Sequence, residues 1–267
     1  FKTCYFSRFK VEYSVRSSMI TKLLNLCGLY TVPNDKLCFC TLAIHAPYRQ
    51  RARRLCRDVT SVPWVVLTDE PGDFAGLPVR AIRHLPTGPM AVDYLARLPP
   101  TGIEWGSAAY HDKRFALMAA LEYSDTAIFV DADSRIKKLP RLRPLPPGLA
   151  VIPVVRKSVA EHLETCGSWR LQTFRDLARH LSGDVEMLQA ARWCPEACIA
   201  VTRDGRESNF FEAWAEGANF FHSRRIFSGE GGVIGLAAAR AGWTVDYEAL
   251  SALAATIKHE GGGPKQE

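Results

Sequence analysis

A strand, a helix and a second strand in close succession constrain this chain more than any other feature. Leu37–Ile44 is a short apolar run bounded by Pro33-Asn34 and by Pro47, and it reads as a buried strand. Tyr48–Arg57 reads as a basic helix, opened by Pro47 at a position where proline costs the helix no hydrogen bond. Trp64–Leu67 is a second apolar strand running into Thr68-Asp69-Glu70, and Val79–Arg83 is placed to be a third. That rhythm builds a βαβ unit, and such units build parallel sheets. The expected fold class is α/β, a mostly parallel sheet flanked by helices in a single domain.

The remaining pattern supports the same class. Pro86 to Gly106 is rich in Pro and Gly and reads as a loop over one end of the sheet. His111–Glu122 reads as a helix whose apolar stripe includes Leu117, Met118 and Leu121. Ala127–Val130 is an apolar strand that runs straight into Asp131-Ala132-Asp133. Leu139–Gly148 carries four prolines, too many for regular structure. Val151–Val155 and Cys198–Val201 read as strands, and Trp169–His180 and Phe210–Gly217 as helices. Gly229–Ala241 is expected to become helical near Val233. Residues 1–36 are basic and irregular and read as an extension, leaving 37–267 as the domain.

Of the 267 residues, 47% are hydrophobic, enough to bury one large core or two small ones. The net charge of +6 is modest and its arginines are scattered, which argues against a nucleic-acid partner. Eight cysteines raise the question of disulfides or zinc. Cys38 and Cys40 share one face of a strand, and Cys194 and Cys198 lack a second ligand pair nearby. Buried free thiols in a reducing, cytoplasmic compartment are the expectation, with peripheral membrane attachment left open. Lys22–Tyr30 is apolar but too short to span a bilayer, and no run of about 20 apolar residues exists.

The chemistry points to Ile128-Phe129-Val130-Asp131-Ala132-Asp133. An apolar strand delivers two carboxylates to its C-terminal end, the edge where ligands bind in open α/β sheets. Alternation along an extended strand would send Asp131 and Asp133 to the same side, within reach of one cation. Carboxylate oxygens suit Mn²⁺ or Mg²⁺, which also hold the phosphates of a nucleoside diphosphate.

From His111 to Ser134 the chain resembles the GT-A glycosyltransferases, in which a helix carrying a basic residue precedes a strand ending in D-x-D. The resemblance implies that Asp131 contacts ribose and metal, that Asp133 is a metal ligand, and that Lys113 or Arg114 contacts the nucleotide or its phosphates. At the other end, His259-Glu260-Gly261-Gly262-Gly263-Pro264-Lys265 is similar to the H-x-x-G-x-x-K motif of the glycogenin-like, retaining branch. It implies His259 as a third metal ligand and Lys265 as a counter-ion for pyrophosphate. Glu260 departs from the pattern, which has an aromatic there, and no Pro-Trp follows Lys265. Thr41, Ala43 and Asp69 match positions that cradle or read the nucleotide.

Two carboxylates are candidates for the reacting end. Cys194-Pro195-Glu196-Ala197 resembles the loop lining the donor-sugar pocket, and Glu230 sits on the glycine turn Ser228-Gly229-Glu230-Gly231-Gly232. An inverting enzyme needs a carboxylate base, whereas a retaining one relies on the leaving phosphate and on nearby charge. Trp193, Trp214 and Trp243 are available to stack on a sugar, although each also suits a core. The resemblance thus implies a metal-dependent transferase moving a hexose from a nucleotide-diphosphate sugar, a UDP- or GDP-sugar, to a hydroxyl on a glycan, lipid or small molecule. The rivals are a phosphatase of the haloacid-dehalogenase type, with Asp131 as nucleophile, and an inactive nucleotide-sugar-binding module. Against the first, the motif lies mid-chain and no later G-D-x-x-x-D occurs.

Overall fold

The short apolar runs pair into one seven-stranded sheet. A computed structural model describes residues 37–86, 108–142, 144–154, 156–166, 168–224, 226 and 229–260. Its strands are β1 (Leu37–Ala43), β2 (Trp64–Thr68), β3 (Arg80–Arg83), β4 (Thr126–Val130), β5 (Ser134–Ile136), β6 (Gly148–Val151), β7 (Cys198–Thr202), β8 (Val245–Asp246) and β9 (Ile257–His259). The large sheet has the order β3-β2-β1-β4-β7-β6-β8, and β5 and β9 form a separate ribbon. Only β7 runs against its neighbours in the large sheet; the other pairings are parallel. The mostly parallel α/β class is therefore the one observed.

The helices are α1 (Ala46–Asp58), α2 (Lys113–Leu121), α3 (Val159–Glu164), α4 (Ser168–Ser182), α5 (Met187–Ala190), α6 (Glu207–Ser223), α7 (Glu230–Arg240) and α8 (Ser251–Ala254). They cover both faces. Phe39, Val66, Ile128 and Ala200 point to one face and pack with Ala52 and Leu55 of α1 and Leu253 of α8. Cys40, Val65, Phe129 and Val201 point to the other, against α2, α4, α6 and α7. Strands buried on two sides read as unbroken apolar runs, which is why β2 and β4 lack polar alternation. The six described cysteines are free thiols, five of them buried. Among the described residues no helix is long and apolar enough to cross a membrane.

Several elements differ from the sequence reading. The strand expected at Val151–Val155 is instead Gly148–Val151, because Pro153 has no N–H to offer a ladder. Gly148, at φ 101°, brings the chain from the proline-rich segment into that strand with the Trp243 ring packed on its Cα side. The helix expected near Val233 begins at Glu230. Glycine costs helix stability, but here it permits close approach: a Cβ on Gly231 would run into the carbonyl oxygen of Cys194, and one on Gly235 into that of Arg192. The helix expected from His111 splits into a 3₁₀ turn, Ala108–Asp112, followed by α2. Phe210–Gly217 is the middle of a longer helix, α6. The extension expected over residues 1–36, and the loop expected over Pro86 to Gly106 apart from Pro86 itself, lie outside the described residues.

One consequence of the topology positions the site. Because β7 is antiparallel, its first residue, Cys198, pairs with the last residue of β4, Val130. The segment before β7 and the segment after β4 therefore meet at the same sheet edge.

Candidate active site

At that edge β4 stops and the chain turns. The Asp131 N–H donates to the Ala197 carbonyl at 2.9 Å, and the Ser134 N–H donates back to the Asp131 carbonyl at 2.9 Å. Asp131 and Asp133 are thus gathered by a turn, not by the strand alternation expected from sequence. Directly after the turn β5 pairs antiparallel with β9, setting Ser134 opposite His259. The Glu260 N–H closes the ribbon onto the Asp133 carbonyl at 2.7 Å.

This pairing brings the imidazole to the carboxylates. His259 Nδ1 lies 3.3 Å from Asp133 Oδ1. One ligand atom from each of Asp131, Asp133 and His259 lies within 4.8 Å of the others. Their side chains are 22%, 14% and 48% exposed, so a cation can reach them from solvent. Two carboxylates and an imidazole fit a divalent ion of the Mn²⁺ kind better than the all-oxygen shell that Mg²⁺ prefers.

Behind the turn lies a dry cluster. Lys113, the first residue of α2, places Nζ 2.9 Å from Asp131 Oδ1 and 3.2 Å from Glu230 Oε1, with only 7% of its side chain exposed. Burial alone would lower its pKa, but the charges of Asp131, Glu230 and Glu196 outweigh that and raise it, so the ammonium persists. The contact to Glu230 is an ion pair without hydrogen-bond geometry. Glu196 Oε1 accepts the Gly231 N–H at 2.8 Å, at the amino end of α7 where that donor has no helical partner. Burial, and then the charge of Glu230, push Glu196 up to about 7, against the opposing pull of Lys113. Of the two carboxylates found separately in sequence, Glu230 pairs with the ammonium and Glu196 feels its charge from farther away.

Other expected residues lie elsewhere. Arg114 is buried, donates to the His111 carbonyl at 2.7 Å, and lies 3.5 Å from Asp112. Asp69 accepts from Arg49 at 2.8 Å and from the His45 N–H at 3.2 Å. Burial would raise its pKa, but the Arg49 and His45 hydrogen bonds outweigh it and hold the carboxyl low. His45 adopts φ 70°, rare for a residue with a side chain, and Asp69 secures that bend at the start of α1. Thr41 and Ala43 are fully buried in β1, and Thr41 Oγ1 has no hydrogen-bond partner among the described residues. Lys265 lies outside the described residues. Of the three tryptophans, Trp214 and Trp243 belong to the core. Trp193 stays half-buried, stacked on His162 with ring centroids 4.2 Å apart.

Arg51 was missed by the sequence reading. Its Nη1 stands 3.7 Å from Asp133 Oδ2. Five arginines are spread around α1, and sequence alone does not tell which of them the helix turns toward the site. His111 is a structural histidine beside the site: it accepts the Trp214 indole N–H on Nδ1 at 3.1 Å. Burial and the neighbouring Arg114 and Lys113 push it down to about 3, so it remains neutral.

No protein-family model matches the chain, and no curated protein matches it. Among solved structures, mouse xyloside xylosyltransferase 1 is similar over 85% of this chain and 97% of its own, with 10% identity and a TM-score of 0.42. The glycosyltransferase GlyE of Streptococcus pneumoniae is similar over 75% of this chain and 43% of its own, with 10% identity and a TM-score of 0.38. Similarity of this degree transfers no residue's role to this chain. The site's own geometry, two aspartates and a histidine at the carboxyl edge of a mostly parallel α/β sheet, carries the functional reading.

Proposed function

We propose that the protein is a metal-dependent glycosyltransferase that moves a hexosyl group from a UDP- or GDP-sugar to a hydroxyl acceptor. The observation that carries this is the convergence of Asp131, Asp133 and His259, whose ligand atoms lie within 4.8 Å of one another. It occurs at the strand edge where α/β sheets bind nucleotides. These three residues would hold Mn²⁺ or Mg²⁺, which when bound neutralises a leaving diphosphate as a Lewis acid. Lys113 fixes the Asp131 carboxylate and keeps a positive charge beside the Glu196 and Glu230 carboxylates.

Glu196 and Glu230 are the groups proposed to act at the reacting sugar. A carboxyl poised near 7 is suited to exchange a proton with a hydroxyl near neutrality. As carboxylates the pair also supplies negative charge beside an oxocarbenium-like centre. The match of His259 and its following residues to the glycogenin-like motif favours retention of configuration.

Thermal unfolding with UDP and Mn²⁺, separately and together, and again with GDP, tests the reading. A ligand at about 100 times its dissociation constant adds roughly 2.7 kcal/mol, or several degrees. The expected shift needs nucleotide and metal together and vanishes in Asp133→Ala. No shift with either nucleotide, or a shift indifferent to metal and to Asp133→Ala, overturns it.

A further inference from the structure

The arginines of α1 divide by what they hold. Arg49 is fully engaged, donating to Asp69 at 2.8 Å and to Asp73 at 2.6 Å. Beyond α1, Arg135 of β5 grips Asp58 with two hydrogen bonds of 2.6 and 2.7 Å. Arg51 differs from both. It approaches Asp133 Oδ2 at 3.7 Å, outside hydrogen-bond range, and its cationic carbon lies 5.7 Å from the Tyr48 ring centre. Among the described residues its guanidinium donates no hydrogen bond, while its side chain is 35% exposed. A guanidinium with five N–H donors thus stands beside the carboxylate turn, its Nη1 nearest Asp133, with none of them used among the described residues.

Lys113, one of the residues expected to meet the phosphates together with Arg114 and Lys265, is placed differently. Its ammonium is enclosed between Asp131 and Glu230 with 7% of the side chain exposed. A charge already shared by two carboxylates and shielded from solvent is poorly placed to grip an incoming anion.

We propose that Arg51, not Lys113, binds the diphosphate of the donor, using its free guanidinium fork beside the carboxylates that hold the cation. The inference rests on the donor site proposed above. A planar fork matches two phosphate oxygens at once, which a lysine cannot do. The position has a second effect. Arg51 and a divalent ion on Asp133 are like charges competing for one carboxylate, so Arg51 weakens the hold on the ion alone and strengthens the hold on ion plus diphosphate.

That opposition in sign makes the test specific. Calorimetric titration of the full chain and of Arg51→Met and Arg51→Lys is run with Mn²⁺ alone, with UDP in the presence of Mn²⁺, and with uridine. The side chain is partly exposed and forms no hydrogen bond among the described residues, so both variants are expected to fold, which the unfolding curve checks. Arg51→Met should weaken UDP with Mn²⁺ by about tenfold to a hundredfold, leave uridine unchanged, and bind Mn²⁺ alone as tightly as the parent or tighter. Arg51→Lys should fall between the two. Unchanged UDP affinity in Arg51→Met overturns the inference while the donor-site reading stands. A loss for Mn²⁺ alone equal to the loss for UDP also overturns it, because Arg51 would then be supporting the carboxylates only. If the parent chain binds no nucleotide with Mn²⁺, the donor-site reading and the inference fall together.

Discussion

Two clusters of charge lie back to back at the carboxyl edge of the sheet, and they are built on opposite terms. In the outer one, Asp133, His259 and Arg51 are 14%, 48% and 35% exposed and are joined by contacts of 3.3 and 3.7 Å. In the inner one, Lys113 and Glu230 are each 7% exposed, and the ammonium lies 2.9 Å from Asp131. Loose, wet pairs are worth little and exchange readily. Tight, dry ones are costly to break, because whichever partner remains is left charged and buried. Asp131 belongs to both, offering a carboxylate to solvent on one side and to Lys113 on the other. The outer cluster is suited to exchanging ligands, and the inner one to holding geometry while that happens.

The sharpest way to break this comparison is Lys113→Met. It leaves Glu230 and Asp131 without their ammonium, and the expected cost is about 3–5 kcal/mol in urea unfolding. A cost under about 1 kcal/mol would show that the inner cluster is wetter than its burial indicates.

Glu196→Gln comes next and acts through pH. The folded-state pKa of Glu196, about 7, is raised above its ordinary 4.5. Between those values the folded chain keeps a proton that the unfolded chain has lost. Stability is therefore lost as pH rises through that window, and the loss is complete above it. Glu196→Gln should flatten that fall and make the protein more stable than the parent at pH 8, as read by urea midpoints across pH 4.5 to 8. A profile unchanged by the substitution would place the titrating group elsewhere.

The smallest effect belongs to the outer cluster. Asp133→Asn should change stability by less than about 1 kcal/mol while removing metal-dependent nucleotide binding. A large stability loss would mean that the outer carboxylate is a structural member after all.

How much of this was legible in the sequence depends on what each residue answers to. The first βαβ unit was, because Pro47 marks a helix start and the apolar runs around it answer only to burial on two faces. Asp131 and Asp133 were, because a four-residue apolar strand ending in two acids is a local pattern. Their convergence through a turn was not, since it depends on hydrogen bonds to Ala197 and within the turn. The glycines of α7 read as helix breakers when alone, and only contact with Cys194 and Arg192 shows why they are tolerated. Three-residue strands such as β5 and β9 leave no periodicity to detect. Arg51 is one basic residue among five on a helix, and only the helix's placement against the Asp131 turn distinguishes it.

The ribbon of β5 and β9 has a bearing on how the protein comes into being and how it wears. Ser134 and His259 stand 125 residues apart in sequence, so β4 and the Ala197 segment that together shape the Asp131 turn are both made well before the imidazole emerges. The trio of Asp131, Asp133 and His259 is complete only once β9 has been made. It is also exposed to be lost first, because β9 is three residues long and its Lys258 and His259 are exposed, the setting in which local opening costs least. Fraying of that one short strand would part His259 from the two aspartates while the seven-stranded sheet remained whole. The proposed hold on an ion is therefore a finer gauge of the integrity of this molecule than its secondary structure.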